Sequence, residues 1–209
     1  VVQSSAGRRV RMLAKAPLFS MPGVSVLVKG MDCLPVYRAK DGADTKANAA
    51  TFKAVEDALV KGDCVLIFPE GISHDEPALQ PLKTGAARMA LQAQRAGADV
   101  KVVPVGLSYA DKLRFRSTAA VEVGAAIDVG ALAAAEDAVD VLTGRINDGL
   151  RDVTVNLETW EDLPLLETID AIWRQDDPER SRRLKNLAEG TALLRQVDPG
   201  RHDELRAQL

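Results

Sequence analysis

Charged residues follow two short apolar runs of the sequence, at positions where α/β proteins commonly bind ligands. Arg38 comes directly after one run, and Glu70 with Gly71 follows another. Lys83 precedes a predicted helix. A guanidinium can hold a phosphate through two parallel hydrogen bonds, and the N-terminus of a helix favours anions. These residue types therefore indicate a site for a phosphorylated ligand.

Each of these features also has a structural interpretation. Pro69-Glu70-Gly71 is a weak signal, since turns are commonly built of such residues. A carboxylate at the end of a buried strand, followed by a glycine that lets a backbone or a ligand come close, favours a binding site over a plain turn. The prediction depends on the combination of these residues.

The elements that must position these residues are apolar runs alternating with helical patterns, which predicts an α/β fold with a mixed, largely parallel sheet flanked by helices. Ligands of open α/β sheets bind beyond the carboxyl ends of the strands, so the residues after each strand are the candidates. Pro104 predicts an edge position or a bulge. The predicted strands are 10–14, 34–37, 64–68, 100–109 and 119–123, and the predicted helices are 51–61 and 85–96.

The sequence becomes helical throughout from about residue 136, where apolar residues recur at helical spacing. We therefore expect an α/β core at 1–130 and an all-helical extension at 136–209 that packs on it. Asp162 and Pro164 predict the start of a second helix, and 177–179 predict the cap of a third. Trp160 and Trp173 are expected to pack into the core, and His202 is expected to be solvated.

The net charge of −3 conceals an uneven distribution of charge along the chain. Residues 1–40 carry seven basic side chains and one acidic one, a balance of +6, so the remaining 169 residues sum to −9. A basic surface that includes Arg8, Arg9 and Arg11 suits phosphate groups or anionic lipid headgroups. No aromatic residue is interleaved with these cations, which argues against single-stranded nucleic acid. A solvated basic edge without a ligand is the alternative.

The composition also limits the class of protein. Two cysteines cannot form a disulfide framework, and two histidines and two cysteines far apart in sequence make a zinc site improbable. The longest uncharged run, 16–28, has 13 residues, fewer than the roughly 20 that span a bilayer. We expect no membrane span, and this run either packs in the core or lies in a membrane interface.

Four motifs together resemble those of the glycerolipid acyltransferase family, in order and approximate spacing, over roughly residues 8–128. The chain looks like a 1-acyl-glycerol-3-phosphate acyltransferase of the bacterial type, and the segment 11–19 is similar to the one that follows the family's first motif. The motifs are Arg38 after Pro35-Val36-Tyr37, then Phe68-Pro69-Glu70-Gly71, Pro81-Leu82-Lys83-Thr84-Gly85-Ala86 and Val102-Val103-Pro104-Val105-Gly106.

The resemblance implies an enzyme that transfers a fatty acyl group from acyl-CoA or acyl carrier protein to a hydroxyl of a lysophosphatidate-like glycerol phosphate. It implies that Arg38, Glu70 and Gly71 bind the acceptor's phosphate and glycerol, with Lys83 and Lys15 as additional phosphate partners. It implies no metal and no cofactor beyond the thioester. The expected location is peripheral, on the cytoplasmic side of an anionic membrane.

The chain departs from the family at its general base, a histidine followed five residues later by an aspartate. Neither His74 nor His202 has an aspartate at that spacing. We expect the chain to be a fragment whose catalytic His-x-x-x-x-Asp motif lies upstream of Val1, within about two dozen residues. As given, the chain is expected to lack its base. Ile72-Ser73 also replaces the family's frequent Thr-Arg.

Two alternatives stay open from the sequence. The first is a non-catalytic module that uses the same scaffold to bind phosphate or anionic lipid. The second is a serine hydrolase, since Gly71-Ile72-Ser73 begins like a nucleophile elbow. Against the hydrolase, Asp75 replaces the final glycine of that motif, and Pro77 interrupts the helix that should follow the serine.

Overall fold

A computed structural model describes residues 9–37, 48–109, 113–173 and 180–208. Backbone contacts divide the chain into two compact units. The first unit consists of Val1–Ile72, Leu82–Val102 and Ala126–Ile146, and the second of Ser73–Pro81, Val103–Ala125 and Asn147–Leu209. The boundary between a core at 1–130 and an extension at 136–209 stays a prediction.

A parallel three-stranded sheet organises the first unit, which confirms the predicted α/β class. Strand β1 (Val10–Lys15) lies between β2 (Leu34–Val36) and β3 (Cys64–Leu66). Lys15 pairs with Val36, and Met12 pairs with Leu66. Because all three strands run in one direction, the segments that follow them leave from the same edge of the sheet.

Three helices of the first unit connect or follow these strands. They are α1 (Val24–Gly30), α2 (Asn48–Val60) and α3 (Gly85–Arg95). Helix α2 packs against α3, and Val55 and Leu91 are each 1% exposed. The apolar spacing that predicted α2 and α3 therefore marks their buried faces.

The predicted strand 100–109 is wrong as a single element. Strand β4 (Lys101–Val102) pairs antiparallel with β7 (Ile127–Asp128), whereas β5 (Val105–Tyr109) pairs antiparallel with β6 (Ala119–Val123). The chain leaves one ladder and joins the other at Val103 and Pro104. Proline has no N–H to donate, so the run breaks there instead of forming a bulge.

Helices cover most of the described residues from 138 onwards, as predicted, and the structure adds a last helix that the sequence analysis did not separate. These helices are α4 (Ala138–Asp152), α5 (Leu163–Trp173), α6 (Arg180–Val197) and α7 (Pro199–Ala207). Leu157, Leu166 and Ala188 form a small buried cluster. The predicted cap at 177–179 lies outside the described residues. Where the structure describes the chain, no helix is both long enough and apolar enough to cross a membrane.

Two side chains of this region differ from expectation. His202 is fully buried, with Nε2 3.5 Å from Oδ1 of Asp162, so the expected solvation is wrong. Asp162 itself accepts hydrogen bonds from Nη2 of Arg195 at 2.8 and 3.0 Å. Trp160 is 45% exposed and donates from its indole to the carbonyl of Asp75, so it is not a core residue. The side chain of Trp173 lies outside the described part.

Candidate functional site

The end of β2 is fixed by a helix side chain. The backbone N–H of Tyr37 donates to Oδ1 of Asn48 at 2.9 Å, and Nδ2 of Asn48 donates to the carbonyl of Tyr37 at 2.7 Å. Thr51, 2% exposed one turn further along α2, donates its hydroxyl to the carbonyl of Pro35 at 2.6 Å. Arg38 lies outside the described residues. The residue before it, Tyr37, is held at both its backbone N–H and its carbonyl.

The segment after β3 forms a tight turn that presents Glu70. The N–H of Gly71 donates to the carbonyl of Phe68 at 3.1 Å, which closes the turn. Gly71 has a φ of +68°, in the left-handed region that favours glycine. Glu70 is half-buried. The glycine that the sequence singled out is therefore needed for the backbone of the turn itself.

Lys83 is brought against this turn although it lies twelve residues beyond Gly71. Its backbone N–H donates to the carbonyl of Pro69 at 2.8 Å. A Cβ placed on Gly71 would lie 3.5 Å from Cγ of Lys83, so the lysine stem packs over the glycine. The ammonium end is exposed. The structure thus joins three of the predicted site residues, the carboxylate, the glycine and this lysine, in one place.

Helix α3 begins two residues after Lys83 and adds a second feature suited to anions. The Thr84 side chain makes no capping hydrogen bond to the first turn, and that turn contains no acidic residue. The N-terminus of a helix carries a partial positive charge on its N–H groups. Lys83 therefore directly precedes a helix start, and its role as a phosphate partner stays a prediction.

Lys15 is the last residue of β1 and is exposed. It stands opposite Val36, two positions before Arg38. Parallel pairing therefore places it at the carboxyl edge of the sheet, where β3, which leads to Glu70, also ends. We describe the residues at this edge together as the carboxyl-edge site: Lys15, Glu70, Gly71 and Lys83.

The arginines at the start of β1 are neutralised by carboxylates. Nε of Arg9 donates to Oδ2 of Asp32 at 3.1 Å, and Nε of Arg11 donates to Oδ2 of Asp63 at 2.7 Å. The hydrogen bond from Arg9 lowers the pKa of the Asp32 carboxyl below its ordinary value, and the same bond raises the pKa of Arg9. Two of the seven basic residues of 1–40 are therefore paired within the fold, one of them with a carboxylate from outside that range.

The serine hydrolase alternative is contradicted by the backbone around Ser73. A nucleophile elbow needs a strand, a sharp turn at the serine and a helix immediately afterwards. Here β3 ends at Leu66, and the next helix starts at Gly85. His74 accepts a hydrogen bond at Nδ1 from the backbone N–H of Glu76, at 3.1 Å. The Ser73 segment is an irregular loop.

The arrangement at the carboxyl edge suits a phosphorylated polyol. Two ammonium groups and a helix N-terminus attract a phosphate, while a carboxylate accepts hydrogen bonds from hydroxyl groups. Both histidines of the sequence belong to the second unit, so the first unit supplies binding groups and no imidazole.

Sequence reasoning missed the two residues of α2 that fix the end of β2. Asn48 opens the helix before the predicted start at residue 51. Asparagine is common at helix starts, which was an available signal. Its contact with Tyr37 depends on where the helix lies against the strand, and the sequence does not contain that information.

Comparison with known proteins also indicates an acyltransferase. A family model described as Acyltransferase matches residues 1–108, more than half of the chain. The chain is 37% identical over 135 residues to glycerol-3-phosphate O-acyltransferase 1 of Saccharomyces cerevisiae, covering 60% of this chain and 18% of the relative. Glycerol-3-phosphate O-acyltransferase 2 of the same yeast is also 37% identical over 135 residues, covering 61% and 18%.

A third relative is an uncharacterized acyltransferase of Schizosaccharomyces pombe, 29% identical over 160 residues, covering 70% of this chain and 24% of the relative. The chain spans about a fifth of the length of the curated relatives it matches. No solved structure matches the chain at a significant level.

Proposed function

The chain belongs to the acyltransferase family, and from this premise we propose that it binds the acceptor in the transfer of a fatty acyl group to a hydroxyl of glycerol 3-phosphate. The observation that carries the proposal is the packing of Lys83 over the Glu70-Gly71 turn. Support for this acceptor comes from two relatives named glycerol-3-phosphate O-acyltransferase. A lysophosphatidate-like acceptor, which the sequence also predicts, shares the phosphate and is the competing substrate in the test.

Each residue of the carboxyl-edge site has a role in this proposal. Lys83, Lys15 and the guanidinium of Arg38 hold the phosphate, and the helix N-terminus at Gly85 adds N–H groups to the same charge. Glu70 accepts a hydrogen bond from a glycerol hydroxyl, and Gly71 allows the turn that presents Glu70 and the close packing of Lys83. Fixing the acceptor in this way contributes proximity, which in favourable cases supplies ~7–11 kcal/mol of the barrier.

The chemical step needs a base that takes a proton from the alcohol. The acceptor oxygen attacks the thioester carbonyl carbon, and its proton passes to an imidazole. The carbon–sulfur bond then breaks, and the imidazolium returns the proton to the sulfur, which releases the thiol of CoA or acyl carrier protein. We place that imidazole in a His-x-x-x-x-Asp motif upstream of Val1. General-base catalysis contributes typically ~10² to 10⁴ in rate. The reaction balances without a metal or a further cofactor.

The acyl donor and the acylated product are amphiphilic, so we propose that the reaction takes place at a membrane surface. The protein acts peripherally, on the cytoplasmic side of an anionic membrane. Phospholipid synthesis is the process in which such a product is used.

Steady-state kinetics of the chain extended upstream through its catalytic histidine test the proposal. We expect Lys83→Gln and Arg38→Ala to raise the KM for glycerol 3-phosphate about tenfold or more, with a smaller change in kcat, because each removes a charge-assisted phosphate contact. Lys61→Gln, at an exposed lysine beyond the end of α2, is the matched control and should leave both constants unchanged.

An unchanged KM in both site variants would contradict the assignment of the phosphate site. Binding of glycerol 3-phosphate without any turnover in the extended chain would favour the non-catalytic module. Preference for lysophosphatidate over glycerol 3-phosphate, measured as the ratio of kcat/KM values, would overturn the choice of acceptor while leaving the phosphate site in place.

A further inference from the structure

The connection between β5 and β6 exposes two large apolar side chains to solvent. Leu113 is 90% exposed and Phe115 is 91% exposed, more than any other large apolar residue in the described part of the chain. Arg114 and Arg116 alternate with them and are also exposed. Large apolar side chains this exposed and only two residues apart indicate an interaction surface, since their burial against a partner is favourable.

The backbone presents these side chains at the end of a paired ladder. Strands β5 and β6 pair from Val105 with Val123 to Tyr109 with Ala119. Beyond them, the N–H of Ser117 donates to the carbonyl of Arg114 at 3.2 Å, so Phe115 and Arg116 are the central residues of a four-residue turn.

Arg116 occupies a backbone conformation in which glycine would be less strained. Its φ is +64°, and it is one of two non-glycine residues with a positive φ among the described residues. Strained conformations of this kind concentrate at functional positions. A guanidinium therefore stands at the tip of the turn despite a conformational cost.

We propose that residues 113–116 form a membrane-docking tip, which inserts Leu113 and Phe115 into the interface of an anionic phospholipid bilayer. Arg114 and Arg116, which flank Phe115 in sequence, bind the headgroup phosphates. Such an interface has a hydrocarbon layer beneath negatively charged headgroups. The apolar side chains suit the first, and the alternating cations suit the second. The choice of a bilayer over a protein partner rests on the proposed function, whose acyl substrates partition into membranes.

Arg9 and Arg11 belong to the basic segment that the sequence predicted as a membrane contact. Arg9 and Arg11 each bind a carboxylate of the same unit. They also lie at the start of β1 with no exposed aromatic residue alternating with them. The docking tip combines charge and apolar area within four consecutive residues.

Flotation of the 209-residue chain with vesicles tests the proposal, using phosphatidylcholine with and without phosphatidylglycerol. We expect binding to the anionic vesicles alone, and a loss on the order of tenfold or more for Leu113→Ser with Phe115→Ser, since little apolar area remains to insert. Val26→Ser with Leu27→Ser removes an exposed apolar pair from α1 and should bind like the parent chain.

Arg116→Gly separates docking from folding. Glycine suits the positive φ, so we expect this variant to melt at the same temperature as the parent chain or higher, yet to bind anionic vesicles about fivefold more weakly because one cation is lost. Parent-level vesicle binding by the double serine variant would overturn the proposal. An equal loss in the Val26 and Leu27 variant, or binding of the tip to a protein with no affinity for vesicles, would also overturn it.

Glycerol 3-phosphate binding, measured without vesicles, keeps the two proposals apart. If that binding is absent while vesicle binding still depends on Phe115, the proposed function fails and the docking tip stands. If glycerol 3-phosphate binds and the tip variants float like the parent chain, the docking tip fails and the proposed function stands.

Discussion

The basic residues in and next to β1 lie at opposite ends of the strand. Arg9 and Arg11 lie towards the amino edge and are paired with Asp32 and Asp63. Lys15 lies at the carboxyl edge and is exposed. The charge excess that the sequence shows over residues 1–40 is therefore a poor measure of a basic surface, because pairing distant in sequence removes part of it. Of the cations in or next to β1, Lys15 is the one that we propose for binding phosphate.

The Arg9–Asp32 pair predicts a specific titration. The hydrogen bond from Arg9 lowers the pKa of the Asp32 carboxyl, so the pair stabilises the fold above the ordinary carboxyl range and loses that contribution as the pH falls through the lowered pKa. We expect Arg9→Gln to return the Asp32 pKa towards its ordinary value, as followed by NMR of the side-chain carboxyl carbon.

Asp128 is the internal control for this titration. Its pKa is also lowered, by the hydrogen bond from Lys101, and should be the same in the Arg9→Gln variant as in the parent chain. An Asp32 that titrates identically in both proteins would show that the pair does not form in solution.

At the scale of secondary structure, elements with a clear apolar period were predicted within a few residues. Helices α2 and α3 belong to this group and carry buried residues, and strand β1, of which only Val10 is buried, was predicted from its apolar run. Helix α1 was not predicted, because its seven residues carry three β-branched valines, which disfavour a helix. The run 100–109 was predicted as one strand because apolar content alone does not show which partner each half pairs with.

Removal of the Asn48 side chain tests how α2 positions the end of β2. We expect Asn48→Ala to lower the free energy of unfolding by about 1–3 kcal/mol, since the N–H and carbonyl of Tyr37 both lose a hydrogen-bond partner. Affinity for glycerol 3-phosphate should also fall, because Arg38 follows directly. Denaturant unfolding and calorimetric titration measure the two effects.

Asn186→Ala is the control for the change in helix propensity, since this asparagine is exposed on α6. It should unfold like the parent chain and bind glycerol 3-phosphate equally well. If Asn48→Ala behaves in the same way, Asn48 does not hold the strand end as described.

At the scale of the whole chain, the family could be predicted from four short motifs, and the family match confirms it. The sequence also predicted that Glu70, Gly71 and Lys83 serve one ligand, and Lys83 does lie against the Glu70-Gly71 turn, whereas their role in binding stays a prediction. The burial of His202 against Asp162 was not predicted. A histidine in a charged segment carries no local signal of burial, which depends here on how three helices pack.

The most direct test of the account is an NMR titration of the ¹⁵N-labelled chain with glycerol 3-phosphate, with glycerol as the control that lacks the phosphate. The carboxyl-edge site predicts saturable shifts of the backbone amides of Lys15, Gly71, Lys83 and Ala86, with little response to glycerol. A titration in which these amides stay still, or in which the shifts are confined to residues 113–117, would contradict it.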